Sequence, residues 1–221
     1  VGVARDYASR FVIGTSSNLY VDPPIGDITF AQAQNLPEGS EFIDLVSAGV
    51  NVDPGTNTNV LTFQTVGSPS VSKDGDSFHL LVDIDNNITS GASPEQSSAE
   101  LGFPINFEGA EYIIQAYIDE LNGVITSTPS LLQFVSGEYL EINDPSIKSQ
   151  VNKYVLDFVL PDGGPYPDPA DIPLPQSLIS IEFDKSLIPL NGRQPHFQAY
   201  SHSQENQVTD ETAEKTASFY V

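Results

Sequence analysis

The chain has 221 residues, and 30 acidic residues against 8 Lys and Arg give it a formal net charge of −22. This balance argues against nucleic acid and anionic membrane surfaces as partners, because both are recognised by clustered Lys and Arg. The absence of Cys rules out disulfides, zinc–thiolate sites and thiol nucleophiles. No apolar run approaches the roughly 20 residues of a membrane-spanning helix, so we expect no membrane insertion.

Both ends of the chain have the composition of β-strands. The chain begins at Val1 rather than Met, which favours a secreted, processed form over a domain excised from a longer protein. Segments 10–13 and 217–221 are rich in β-branched and aromatic residues. Such terminal strands either pair inside their own sheets or pair with a neighbouring subunit.

Alternating apolar and polar residues predict strands along most of the chain. In segment 77–85, Phe78, Leu80, Val82 and Ile84 share one face, as the period of a strand requires. Short strands with turn residues every 8–12 positions are typical of a sandwich or a barrel. The interior strands predicted in this way are 59–66, 77–85, 111–118, 124–127, 131–135, 138–142, 153–160, 178–183 and 195–202.

Helices and domain boundaries have little support in the sequence. Segments 31–35 and 146–152 predict one or two helical turns each, and 17 Pro and 16 Gly argue against long helices. Segment 90–107 is predicted to be a polar loop, and segment 161–176, with six prolines, an extended loop. The latter is a rigid connector, a cover for a sheet edge or an intersubunit contact. We expect one all-β domain over residues 1–221.

The most informative segment is the acidic turn that follows strand 77–85. Asp83 and Asp85 lie on one face of the strand end, and Asn86 and Asn87 follow in the turn. Glu111 begins the next long strand and joins this group if the two strands pair. Carboxylate and amide oxygens are the ligands that Ca²⁺ prefers, so we predict a structural Ca²⁺ site with these five residues as ligands. The alternative is a solvated turn whose side chains bond to their own backbone.

This pattern resembles the bacterial and archaeal extracellular domains related to family 9 carbohydrate-binding modules and DOMON domains. The resemblance rests on Asp-x-Asp-Asn-Asn at 83–87 and Gly-Ala-Glu-Tyr at 109–112, and it extends to segments 44–50, 60–63 and 181–189 and to Asp210. It covers roughly residues 40–221. It implies an antiparallel jelly-roll-type β-sandwich, a structural Ca²⁺ and secretion. The relatives bind sugars through Trp or haem through Met and His, and this chain has neither Trp nor Met.

No catalytic constellation is recognisable. The histidines, His79, His196 and His202, lie on predicted strands, where we expect surface positions. A Ser–His–Asp triad has no supporting Gly-x-Ser-x-Gly motif, and paired carboxylates carry little information in so acidic a chain. We therefore expect a protein that is not an enzyme.

Three functions are compatible with these features. The favoured hypothesis is a structural subunit of an extracellular filament, pilus or surface layer, joined to copies of itself through terminal strands, with residues 1–20 containing the exchanged strand. An alternative is a carbohydrate-binding or accessory module that binds glycans through tyrosines. A third is a salt-adapted or Ca²⁺-stabilised domain of a larger surface protein. The candidate tyrosines are Tyr112, Tyr117, Tyr139, Tyr166, Tyr200 and Tyr220.

Overall fold

Two antiparallel β-sheets pack face to face in the computed structural model. The structure describes residues 13–14, 20–21, 27–30, 36–53, 58–122, 124–153, 177–189 and 195–216. The predicted all-β sandwich is confirmed, whereas its jelly-roll topology stays a prediction. In the described part of the chain, no helix is long and apolar enough to cross a bilayer.

The first sheet has five strands in the order β10–β11–β5–β4–β3. Its strands are β3 (Asp27–Phe30), β4 (Leu45–Asp53), β5 (Thr58–Thr65), β10 (Lys148–Lys153) and β11 (Ser177–Asp184). All of their pairings are antiparallel, and one irregularity interrupts the β4–β5 register between Leu45 and Ser47. A separate two-stranded ribbon joins β1 (Ile13–Gly14) to β2 (Tyr20–Val21).

The second sheet has seven strands in the order β13–β12–β6–β7–β8–β9, with β14 also pairing with β12. Its strands are β6 (Asp76–Asp83), β7 (Tyr112–Leu121), β8 (Val124–Val135), β9 (Glu138–Glu141), β12 (His196–Ser203), β13 (Val208–Glu211) and β14 (Lys215–Thr216). The described connections include the 3₁₀ turns Pro69–Val71 and Lys185–Leu187. Strands β6 and β7 lie in the middle of this order, and both contribute several residues to the core.

The main core lies between the two sheets. The Phe78 ring on β6 packs edge-on against Phe42, with ring centroids 5.5 Å apart, and lies 5.6 Å from the ring of Phe63 on β5. The inward face predicted for β6 is confirmed, because Phe78, Leu80 and Val82 are all buried in this cluster. Every residue of β6 is buried, however, so its other face is also covered.

The cover on that outer face is the β6–β7 connection (residues 84–111). It contains helix α1 (Pro94–Leu101), so the prediction of a loop over 90–107 is wrong for these eight residues. Ser93 caps the helix in a capping box with Gln96, and Gly102 ends it in the left-handed conformation at φ 80°. The helix was missed because its residues are polar and form no apolar stripe; Ser97 is its buried residue.

Other expectations are corrected or lie outside the described residues. The helical turn predicted at 146–152 is wrong, because Lys148–Lys153 forms β10 and pairs with β11. The separate strands predicted at 124–127 and 131–135 are one strand, β8. Segments 31–35, 154–160, 161–176 and 217–221 lie outside the described residues. So does most of the predicted exchange segment 1–20, of which Ile13–Gly14 pairs with Tyr20–Val21 of the same chain.

Candidate metal centre

Strand pairing brings the two halves of the acidic turn together. Strand β6 ends at Asp83, and Val82 lies opposite Tyr112 in the antiparallel β6–β7 pair. Glu111 precedes Tyr112, and its N–H donates to the carbonyl of Val82 at 2.9 Å. The β6–β7 connection therefore starts and ends at the same point of the sheet, as the candidate site requires.

Three carboxylates meet there. Asp83, Asp85 and Glu111 each offer a carboxylate oxygen, and these oxygens lie within 4.8 Å of one another. Asp83 is 1% exposed, Glu111 is partly buried and Asp85 is exposed, so the group opens to solvent on one side. We call this group the acidic triad.

Backbone hydrogen bonds fix the orientation of two members of the acidic triad. Asp83 Oδ1 accepts from the N–H of Asp85 at 3.1 Å and from the N–H of Asn87 at 3.3 Å. Glu111 Oε2 accepts from the N–H of Ile84 at 2.9 Å. These bonds leave lone pairs on the carboxylate oxygens for a further partner, since each carboxylate has about four acceptor positions.

The negative charge of the acidic triad has no Lys or Arg partner among the described residues. Burial raises the pKa of Asp83, backbone hydrogen bonds lower it, and the charge of Asp85 raises it. Burial likewise raises the pKa of Glu111, and repulsion by Asp85 and Asp83 adds to this effect. Across the described ranges, no Lys or Arg forms an ion pair with these carboxylates; the ion pair found there joins His196 to Glu214. A bound cation would relieve this repulsion.

The structure gives Asn86 and Asn87 roles in the turn itself. Asn86 adopts the left-handed conformation at φ 56°. Asn87 Oδ1 accepts from the N–H of Thr89 at 3.2 Å and from its hydroxyl at 2.8 Å. Both asparagines therefore shape the loop around Asp83, and their service as metal ligands stays a prediction.

Ser90 and two glycines are parts of the site that sequence reasoning missed. The Ser90 hydroxyl donates to Asp85 Oδ1 at 2.9 Å. Gly91 passes so close to Gly109 that a Cβ on Gly91 would overlap the Gly109 carbonyl, and a Cβ on Gly109 would lie 2.8 Å from the Cα of Ile88. The Ser-Gly and Gly-Ala-Glu steps in the sequence are the signal for this close crossing.

A backbone bridge closes the base of the connection beside the acidic triad. The N–H of Ala92 donates to the carbonyl of Ala110 at 2.9 Å, and the N–H of Gly109 donates to the carbonyl of Ala92 at 3.0 Å. Gly109 has φ 75°, which a residue with a side chain adopts only with strain. This bridge holds the two ends of the connection, and with them Asp85 and Glu111, at a fixed distance.

The donor set fits a hard cation. All three groups are carboxylates with no nitrogen or sulfur donor among them, which suits Ca²⁺ better than Zn²⁺. Ca²⁺ takes six to eight oxygens, so turn carbonyls, Asn side chains or solvent would complete its coordination. A cation here would bridge the end of β6 to the start of β7 and so reinforce the closure of the connection.

The three histidines, which the sequence predicts at the surface, differ in their exposure. His79 is fully buried, so that expectation is wrong for it, while His202 is partly buried and His196 is 26% exposed in its ion pair with Glu214. His79 Nε2 lies 2.8 Å from the Ser77 hydroxyl, and Nδ1 lies 3.1 Å from Gln115 Oε1. This Ser–His–amide array is closed to solvent, because all three side chains are at least 95% buried.

The candidate sugar-binding tyrosines are mostly occupied in packing. Tyr112 and Tyr200 are buried, and the Tyr139 hydroxyl lies 2.9 Å from the Ser97 hydroxyl of α1. Tyr117 on β7 is 38% exposed, while Tyr166 and Tyr220 lie outside the described residues. Within the described ranges, these tyrosines form no exposed row on one sheet face.

Comparison with protein-family models, with curated proteins and with solved structures gives no match to this chain.

Proposed function

We propose that this protein is a non-catalytic structural subunit of an extracellular filament, pilus or surface layer, stabilised by Ca²⁺ at the acidic triad. The observation that carries the proposal is the convergence of Asp83, Asp85 and Glu111 within 4.8 Å, at the point where the β6–β7 connection closes. The ion has a structural part in this proposal: it neutralises the repelling carboxylates and ties two strands and the covering connection together.

An extracellular location agrees with this choice of ion. Extracellular Ca²⁺ modules bind with dissociation constants of about 10⁻⁴ to 10⁻³ M, which suits a site with three carboxylates and an open side. An acidic surface with a net charge of −22 keeps the folded protein soluble where such cations are abundant.

Assembly through strands is the second part of the proposal. In the described part of the chain, the five-stranded sheet ends at β3 and β10, and the seven-stranded sheet ends at β9 and β13. An edge strand presents unpaired backbone N–H and C=O groups, with which a strand from another copy can pair. The terminal segments, above all residues 1–20, are the proposed donors.

Light scattering coupled to size-exclusion chromatography tests the assembly. We expect the full chain to form oligomers in Ca²⁺ that dissociate in EGTA, and we expect deletion of residues 1–20 to leave monomers that still bind Ca²⁺. The matched variant Asp83→Asn should weaken assembly while leaving the exchange segment intact. A full chain that is monomeric in Ca²⁺ at high concentration would refute the assembly.

Carbohydrate binding is the second candidate, and one observation favours it. Tyr117 is exposed on the outer face of β7, beside the paired side chains of Asp119 and Thr128, whose Oδ2 and Oγ1 lie 3.0 Å apart. An exposed aromatic ring next to hydroxyl and carboxylate groups is a typical sugar platform. Glycan-array binding that Tyr117→Ala abolishes and Val124→Ala preserves would support this function, and an array without binding would exclude it for the sugars tested.

A further inference from the structure

The β6–β7 connection covers an apolar patch on the outer face of the seven-stranded sheet. Phe103, Ile105, Phe107 and Ala110 of the connection pack onto sheet residues and form a second hydrophobic cluster, separate from the main core. The sheet residues beneath them are Leu81, Ile113, Leu132 and Tyr200. The connection therefore behaves structurally as a lid whose base is the acidic triad.

Two histidines of the sheet contact Phe103 of the β6–β7 connection. The ring of Phe103 is stacked on that of His202 on β12, with centroids 4.5 Å apart and an interplanar angle of 10°. The same Phe103 ring lies 5.2 Å from the ring of His79 on β6. Phe103 and His79 are buried and His202 is partly buried, so the three rings form one cluster between the cover and the sheet.

The hydrogen bonds of His79 are satisfied by a neutral ring, which its complete burial favours. Gln115 Oε1 can only accept, so Nδ1 of His79 carries the proton and donates to it at 3.1 Å. Nε2 then accepts from the Ser77 hydroxyl at 2.8 Å. A second proton would occupy Nε2, reverse the Ser77 bond and place a charge against the apolar Phe103 ring.

Few charged groups offset such a charge. In the described part of the chain, the titratable or charged groups near the histidine pair are Tyr117 on β7, Tyr200 opposite His79 on β12, Glu211 opposite Tyr200 on β13, and Glu100 on α1. Burial, and after it the charge of Glu100, raise the pKa of Tyr117. His202 bonds through Nδ1 to the Thr209 hydroxyl on β13 at 3.0 Å. The neighbours of the two rings are thus mostly neutral.

We propose that Phe103, His79 and His202 form an acid-released latch, which keeps the β6–β7 connection on the sheet while both histidines are neutral and frees it when they are protonated. Lifting the connection lets water reach both rings. The same movement exposes the apolar patch around Leu81 and Ile113, so mild acid converts a covered sheet face into an exposed one.

The size of the effect follows from how strongly burial disfavours the charged ring. Burial, and secondarily the charge of His202, lower the pKa of His79 to about 3 from its ordinary value of 6.5, while burial also lowers that of His202. The open form regains the ordinary value, so acid favours opening. Between pH 7.5 and pH 5, the titration of His79 alone raises the open population about 30-fold.

Amide hydrogen exchange at saturating Ca²⁺ tests the latch while keeping the acidic triad occupied. Rates at pH 7.5 and pH 5 are divided by those of unstructured reference peptides. We expect the normalised exchange of residues 98–107 to increase about 30-fold at pH 5, with no such increase in β5. An unchanged rate in residues 98–107, or an equal increase in β5, would overturn the proposal.

Variants separate the latch from a general acid effect. His79→Gln keeps donor and acceptor groups for Ser77 and Gln115 without titrating, so its cover should show little acid-induced opening, whereas the matched variant His196→Gln should behave like the wild type. Phe103→Leu keeps an apolar side chain but removes the ring stacking, and should raise opening already at pH 7.5. Acid-induced opening that persists in a folded His79→Gln protein, or an unchanged cover in Phe103→Leu, would overturn the latch.

Discussion

Asp210 on β13 links the two sheets and makes the stability of the fold depend on pH. Its side chain is 1% exposed; Oδ2 accepts from the N–H of Leu45 at 2.7 Å, and Oδ1 accepts from the N–H of Glu211 at 2.8 Å. Burial raises the pKa of Asp210 to about 6; the two hydrogen bonds lower it, and the charges of Asp44 and Glu211 raise it. The folded state therefore binds this proton more tightly than the unfolded state.

The sign and size of the effect follow from linkage. Because the folded pKa lies above the ordinary value of 3.8, the Asp210 contribution to the free energy of unfolding increases as pH falls through 6 and levels off below 3.8. The whole effect is about 3 kcal/mol, and about 1.4 kcal/mol of it develops between pH 7.5 and pH 5. That portion corresponds to roughly 3–6 °C in Tm for a domain of this size.

Urea unfolding of the wild type and of Asp210→Asn measures the contribution of Asp210 to the free energy of unfolding. Since His79 titrates with the opposite sign, the informative quantity is the difference in unfolding free energy between the two proteins at each pH, at constant Ca²⁺. We expect this difference to move by about 1.4 kcal/mol in favour of the wild type from pH 7.5 to pH 5. The exposed control Glu138→Gln on β9 should show no such change. A difference that does not vary with pH would refute the account of Asp210.

Three further predictions concern the site and the core. Ca²⁺ at about 100 times its dissociation constant should stabilise the fold by about 2.7 kcal/mol, or roughly 5–10 °C in Tm, and Asp83→Asn should lose this gain; equal gains in both proteins in a thermal scan would contradict the assignment. Gly91→Ala should cost about 1–3 kcal/mol and weaken Ca²⁺ binding, since its Cβ overlaps the Gly109 carbonyl; full affinity would show that the crossing is looser than described. Phe78→Ala should cost about 3–5 kcal/mol in urea unfolding, and a loss below 1 kcal/mol would show that Phe78 is not central to the core.

The strands and the inward face of β6 could be predicted because burial imposes a period of two on the sequence. Phe78, Leu80 and Val82 alternate with residues that the sequence assigns to the opposite face of the strand. The structure confirms that all three lie in the main core. That outer face is buried as well, because the β6–β7 connection lies over it. Alternation within one strand carries no information about a cover formed by residues some twenty positions later.

Helix α1 and strand β10 were mispredicted for related reasons. The residues of α1 are polar, so its helical state depends on the cap at Ser93 and on packing over the sheet instead of on an apolar stripe. The segment Lys148–Lys153 is equally polar, and it is a strand because β11 is available to pair with it. In both cases tertiary contacts outweigh local preference.

The acidic triad could be predicted because its assembly depends on the pairing of two strands that are consecutive in the chain. Asp83 ends β6 and Asp85 follows it in the turn, and Glu111 joins them because β6 and β7 are consecutive and antiparallel. The crossing of Gly91 and Gly109 was not predictable, because it depends on how two loop ends pass each other. The burial of His79 under Phe103 was missed for the same reason.

A calorimetric titration of Ca²⁺ into the wild type and into Asp83→Asn shows whether the acidic triad binds the ion. We predict that an ion binds at the acidic triad with a dissociation constant of about 10⁻⁴ to 10⁻³ M, and that a folded Asp83→Asn protein loses this binding. Binding of equal strength in the two proteins, or no binding to the wild type at millimolar Ca²⁺, would contradict it.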